Sequence, residues 1–233
     1  MATNKFMRGR VDLYVKEIYN FVEQRGVLAI WEKATLCSCQ VENERETMPD
    51  YNCPACHGKG YFYFDPQQVN VAFTNVAGQK EQTPIGLLDV GTALVTANPE
   101  YKIGFRDRLT FIDSETSYSE VRRYEGRIGG ELLNYPIHEM IAVYKRNIEI
   151  PSSEYTWEAG KRELKFNEGV LNYGEGFSVL YRIRPVYIVI DIPHELRGTY
   201  VKFQHKVDTY YPLPRQYMIK REDLLPYSRG QLL

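Results

Sequence analysis

The sequence predicts a mainly β protein: a barrel or sandwich body with an N-terminal amphipathic helix and a cysteine-clamped β-hairpin. Three observations point there. Tyrosine is unusually frequent, with 19 residues against 10 Phe and 2 Trp, and its ring and hydroxyl suit the half-buried surface of a sheet. Eleven short apolar runs follow residue 26, separated by Gly, Pro, Asn and Asp, as in chains that close sheets into sandwiches or barrels. All four cysteines fall between residues 37 and 56, in two close pairs.

The first element is the helix. Val11, Tyr14, Val15, Ile18, Phe21 and Val22 recur at steps of three and four, which places them on one side of a helix over about residues 11–24, with Gly26 as its stop. Lys16, Glu17, Asn20 and Glu23 keep the other side wet. Strand signals then dominate: "VLAIWEKATL", "GYFYF", "VNVAFTNV", "GTALVTA", "DRLTFID", "SEVRRYEG", "IHEMIAVYKRN", "YTWE", "ELKFN", "FSVLYRI" and "VYIVID". "SEYTWEAGKRELKF" reads as a hairpin turning at Gly160, and Leu164 and Phe166 alternate with charge as Phe177, Val179, Tyr181 and Ile183 do, which suggests a second antiparallel pair.

Gly129, Gly130 and Pro136 interrupt the strand pattern and suggest a boundary. The expected division is 1–135 for the helix, hairpin and a small barrel, 136–208 for an antiparallel β-unit, and 209–233 for an extended C-terminal arm. The three prolines of "YYPLPRQYMIKREDLLPYSRGQLL" argue against a regular core element there. Its apolar positions Leu213, Tyr217, Ile219, Leu224 and Leu225 need a surface to cover.

Composition bounds the function. A chain of 233 residues, 43% hydrophobic and 25% charged with a formal charge of -1, is globular in balance and shows no excess charge for a nucleic-acid polyanion. The opening "MATNKFMRGRVDLYVKEIYN" mixes Asp, Lys and Glu among its apolar residues, so no secretory signal core is expected. Its apolar runs fall short of the ~20 residues of a membrane helix. The expectation is synthesis in a cytoplasm with no membrane partner, where thiols stay reduced unless a metal holds them.

Cys37 and Cys39 form C-x-C, Cys53 and Cys56 form C-x-x-C, and 13 residues separate the pairs. Two pairs that each wrap one side of an ion are what tetrahedral Zn²⁺ takes in a closed structural site. Gly58 and Gly60 allow the chain to fold back and aim N–H groups at the sulfurs. Strand runs lead into the first pair and out of the second, so zinc would cap a hairpin and hold its register. A thioredoxin-like redox pair and unligated thiols are the competing readings; the first lacks the following helix that such motifs use. His57 is a spare ligand, read as a turn residue because four cysteines already complete the site.

No catalytic constellation accompanies the cluster. His57, His138, His194 and His205 lack metal-protease spacing, and no phosphate-cradling or nucleophile-elbow motif occurs. Asp107, Asp113 and Glu115 read as solvated turn carboxylates. Basic and aromatic residues interleave in "VYKRN", "EVRRYEG" and "YRIRPVY", which reads as strand alternation, since nearby acids cancel the field. A carbohydrate-active β-sandwich enzyme and a zinc-hairpin nucleic-acid-binding module are the alternatives to a non-enzymatic assembly protein.

"CPACHGKG" resembles the C-x-x-C-x-G-x-G repeat of DnaJ-type chaperones, which implies the same local zinc knuckle and no chaperone activity, because one repeat is present and the partner pair is C-x-C. The order of helix, clamped hairpin, Tyr-rich short strands and Pro-containing C-terminus resembles virion structural proteins of tailed bacteriophages. "DVGTALVTANPEYKIGFRDRLTFID" is similar to the small barrel of head-tail connector and neck proteins, and "IEIPSSEYTWEAGKRELKFNEGVLNYGEGFSVLYRI" to hairpins of such proteins. The resemblance implies a ring-forming neck or head-completion component, located in the virion, that contacts portal, adaptor or tail proteins through its helix, hairpin and extended tail.

Overall fold

The computed structural model describes residues 15–39, 53, 55–56, 58–74, 91–193, 198–201 and 209–225. The protein is mainly β and divides into two compact units, one of residues 1–111 with 186–233 and one of residues 112–185.

In the first unit, helix α1 (Val15–Arg25) leads into β1 (Val27–Leu36), which pairs antiparallel with the long β2 (Tyr61–Thr74). Of the anticipated helix start, residues 11–14 lie outside the described residues. Gly26 ends the helix: its N–H donates to Val22 O at 2.8 Å, and a Cβ there would lie 2.3 Å from that oxygen. Val22 is buried, whereas Phe21 is exposed. Asn70 and Asn98 donate to the two oxygens of Glu23 at 3.1 and 2.8 Å, and Tyr19 donates to Pro212 O. The helix thus packs within its own unit through Val22, Tyr19 and Glu23.

The strands β3 (Thr92–Ala97), β4 (Arg108–Phe111), β12 (Val186–Asp191) and β15 (Arg215–Arg221) complete a closed six-stranded barrel in the order β1-β2-β3-β15-β12-β4. Closure leaves no open edge. Alternate residues fill the inside, and Ala29, Trp31, Val69, Val71, Val95, Leu109, Phe111, Val189, Tyr217 and Ile219 form one buried cluster. "GYFYF" and "VNVAFTNV" are one strand rather than two. The register of β1 against β2 shifts between Trp31 and Lys33, opposite Asp65, whose φ is 55°. A bulge of this kind bends the strand and absorbs Pro66.

The second unit is a two-sheet sandwich inserted between β4 and β12. One sheet has β5 (Thr116–Arg123), β11 (Gly176–Ile183), β7 (Glu139–Lys145) and β8 (Ile148–Ile150) in that order, and the other has β6 (Glu131–Leu132), β10 (Glu163–Phe166) and β9 (Tyr155–Trp157) in the order β6-β10-β9. Phe166 of one sheet meets Phe177 of the other edge-on, with ring centroids 4.9 Å apart. The β9–β10 hairpin forms as expected around Gly160. The expected pairing of β10 with β11 does not form: β10 pairs β6 and β9, while β11 pairs β5 and β7. The two runs face each other across the sandwich, which demands the same inside-outside alternation as pairing within one sheet.

The division at residue 135 is likewise replaced. Gly130 N–H closes a turn onto Arg127 O at 2.9 Å, and β6 immediately after it belongs to the sandwich. The boundary instead follows the barrel, where Val186 pairs with Thr110 across the insert. The anticipated C-terminal arm of residues 209–233 is also corrected over its described part. Residues 209–212 form β14 (Thr209–Pro212) against β13 (Gly198–Val201), and β15 sits between β3 and β12 with Tyr217 and Ile219 fully buried. Pro212 and Pro214 fall at and after the end of β14, where a missing N–H is tolerated. Residues 226–233 lie outside the described residues.

Candidate metal centre

Beyond the bulge, β1 and β2 continue as a two-stranded ribbon whose last pair is Leu36 with Tyr61. The four cysteines lie at the end of this ribbon. Cys37 directly follows β1, and its N–H donates to Gly60 O, just before β2, at 2.9 Å. The second pair is folded back by Gly58 and Gly60, with φ of 79° and 78°, a region open to glycine at no steric cost. Lys59 N–H bonds to Cys56 O at 3.0 Å. Cys37, Cys39, Cys53 and Cys56 are all buried, between 2% and 8% exposed.

Their four sulfur atoms lie within 4.8 Å of one another. Cys37 Sγ is 3.6 Å from Cys53 Sγ, and Cys39 Sγ is 3.6 Å from Cys56 Sγ, each contact joining one pair to the other. None of the four is joined in a disulfide, and the contacts are far longer than a disulfide bond of about 2.05 Å. A tetrahedron with metal–sulfur bonds of about 2.3 Å has edges of about 3.8 Å, so the observed spacing fits a metal ion at its centre. The donor set can therefore hold one metal ion with the hairpin wrapped around it. His57 lies outside the described residues.

The backbone prepares the sulfurs for negative charge. N–H groups of Cys56 and Ala55 reach Cys53 and bring its thiol down to about 7, against the opposing effect of burial. At Cys37 the N–H of Cys39 pulls in the same direction, but burial and the neighbouring Cys53 and Cys56 thiols leave it raised. The donors in these contacts are Cys39, Ala55 and Cys56, while the glycines shape the turn that presents them.

Charge holds the ribbon at its base and at its cysteine end. Arg108 makes a bidentate pair with Glu32 at 2.8 and 2.9 Å and lies 4.2 Å above the Tyr63 ring. Lys59, between the two turn glycines, reaches Glu222 Oε1 at 2.7 Å. Neither contact has a signal in the local sequence, because each joins segments far apart in the chain.

Asp107 is buried, contrary to the expectation of a solvated carboxylate: it accepts from Trp31 Nε1 at 2.7 Å, Ala34 N at 2.9 Å and Gly104 N at 2.7 Å. Asp113 and Glu115 are exposed. His138 Nε2 pairs with Glu115 Oε1 at 2.7 Å, and His194 and His205 lie outside the described residues. In the basic-aromatic stretches, Lys145 pairs with Glu175, Arg122 with Glu120, and Arg182 with Glu115 and Glu139. Trp157, Glu158, Lys161, Glu163 and Lys165 line an open groove on the sandwich, where Glu158 and Lys161 pair at 2.6 Å. Among the described residues, no helix is long and apolar enough to cross a membrane.

No protein-family model matches this chain, and no curated protein sequence matches it.

Proposed function

We propose that the chain is a non-enzymatic assembly protein of a tailed-bacteriophage virion, a ring-forming neck or head-tail connector component, and that Cys37, Cys39, Cys53 and Cys56 hold one structural Zn²⁺. The observation that carries the zinc assignment is the closed set of four buried sulfurs at 3.6 Å contacts across the hairpin. Four thiolates complete the usual zinc coordination and leave no position for a reacting water, which favours a clamp over a catalyst. When bound, the metal supplies cross-linking. The residues around it fix the ribbon register, and the N–H groups of Cys39, Ala55 and Cys56 offset the charge of the sulfurs.

The assembly role rests on the resemblance of residues 89–113 and 148–183 to connector proteins and gains support from the surface. Leu36, Phe62 and Phe64 on the ribbon and Val121, Ile141 and Ile148 on the sandwich are exposed. Apolar groups exposed on β elements suit contacts between subunits and with portal, adaptor or tail proteins. The test is localisation by electron microscopy in particles made by the source phage, together with the mass of the purified chain. Rings of identical subunits at the head-tail junction are expected. A chain absent from particles and monomeric at micromolar concentration overturns the proposal.

A further inference from the structure

We infer that the cysteine clamp and the C-terminal turn form a metal-linked latch. Loading the four thiolates seats Lys59 on buried Glu222 and so holds the 3₁₀ turn Glu222–Leu224 against the barrel. The inference rests on the reading of the cluster as a zinc site.

Lys59 has little freedom of its own. It stands between Gly58 and Gly60, both at positive φ, and its N–H is bonded to Cys56 O, so the fold of the cysteine knuckle determines where its side chain starts. From there Nζ reaches Glu222 Oε1 at 2.7 Å. Glu222 is 1% exposed, and its Oε2 has no hydrogen-bond partner among the described residues. Arg108 also feels the field of Glu222, but its guanidinium is engaged by Glu32. A buried carboxylate so placed depends on its ion pair, because removing one partner leaves an uncompensated charge out of water.

The turn that carries Glu222 continues directly from β15. Arg221, the last residue of that strand, donates its N–H to Gly91 O at 2.9 Å, and Leu225 N–H closes the turn onto Glu222 O at 3.1 Å. Leu224 packs so closely on Gly91 that a Cβ there would lie 2.4 Å from Leu224 Cδ1. Glu222 thus sits on a turn whose flanking residues Arg221 and Leu224 are both held at Gly91, the entry to β3. If metal orders the knuckle and the knuckle seats Lys59, metal loading is coupled to the seating of the C-terminal turn, and the coupling acts equally in both directions.

Hydrogen exchange of the full chain, with Zn²⁺ alone as the probe and a chelator to remove it, tests the latch. Zinc-loaded protein should protect residues 221–225. Removing zinc should speed exchange there by about tenfold or more, with β11 of the sandwich unchanged. Lys59→Met should still take up one Zn²⁺, with affinity lowered by about fivefold to tenfold, and should exchange quickly at 221–225 even when loaded; Lys59→Arg should restore both properties. If chelation unfolds the whole chain, the comparison of zinc-loaded wild type with zinc-loaded Lys59→Met decides alone. Equal exchange at 221–225 in those two proteins overturns the latch and leaves the zinc site standing. A chain that binds no zinc overturns both.

Discussion

Trp31 on β1 donates its indole N–H to Asp107 Oδ2 at 2.7 Å, and through Asp107 the barrel's bulge, the loop before β4 and β12 are joined. Asp107 also accepts from Ala34 N beyond the bulge and from Gly104 N in its own loop, while its main chain accepts from Val189 N at 2.9 Å. Asp107→Ala would leave three donors without their acceptor, at about 1–3 kcal/mol for each one that water cannot reach. We expect a loss of at least about 3 kcal/mol in urea unfolding, with Asp107→Asn less damaging because one amide oxygen remains. A loss under about 0.5 kcal/mol in Asp107→Ala would show that water replaces the carboxylate.

Asp107 also shows where sequence reading stops. Trp31 and Asp107 are 76 residues apart, and nothing near "RDRLTFIDSE" distinguishes a carboxylate that closes a barrel from one in water. Strand existence was legible, because alternation in "VLAIWEKATL" or "FSVLYRI" follows directly from one face being buried. Strand partnership was not: residues 164–166 and 177–183 alternate correctly whether paired in one sheet or stacked in two. The cysteine cluster was legible because its spacing is local and its chemistry specific. The Lys59–Glu222 contact that anchors it, between residues 163 positions apart, was invisible for the same reason as Trp31 and Asp107. In "RQYMIKR", the inward pair Tyr217 and Ile219 carried a period-two signal that the surrounding prolines masked.

If the cysteines hold zinc as proposed, removing it should act first on the hairpin. Cys53→Ser deletes one ligand, and because binding energy at such a site is also folding energy, the ribbon beyond the bulge should lose its fixed register. Metal analysis is expected to find one zinc per wild-type chain and much weaker retention in the variant. The near-ultraviolet signal of the sandwich, whose Tyr118, Tyr135 and Tyr181 rings pack edge-on, should persist. Full zinc retention in Cys53→Ser would remove Cys53 from the ligand set.

Stability should fall in alkali through the buried tyrosines. Tyr181 donates to Glu120 Oε1 at 2.6 Å. Burial first, and the Glu120 charge second, hold its phenol well above the ordinary value; Tyr217 is raised as well, mainly by burial. Above about pH 10 the unfolded chain releases these protons and the folded chain keeps them, so the unfolded state binds fewer protons and stability declines as pH rises. Below that pH the contribution is fully present. Urea unfolding between pH 8 and 11 should show the decline, and Tyr181→Phe should flatten it while costing about 1–3 kcal/mol at neutral pH, because Tyr135 N–H loses its acceptor and Glu120 loses a donor. An unchanged slope in Tyr181→Phe would assign the alkaline loss to other groups.

Shortening the chain distinguishes a strand from an arm. An arm that only covers a neighbour could be removed at residue 211 with the rest of the protein intact. Here β15 is paired on both sides, to β3 from Arg215 with Ala97 through Lys220 with Thr92 and to β12 from Tyr187 with Arg221 through Asp191 with Met218. Its removal would open two sheet edges and expose the barrel interior beside Val95 and Val189. Loss of Tyr217 and Ile219 alone removes two fully buried side chains, each worth about 2–5 kcal/mol when truncated to alanine. A chain ending at residue 211 should therefore lose the cooperative unfolding of the barrel and aggregate through its open edges. Recovery of a folded, zinc-loaded protein from the shorter chain would show that the barrel closes without β15.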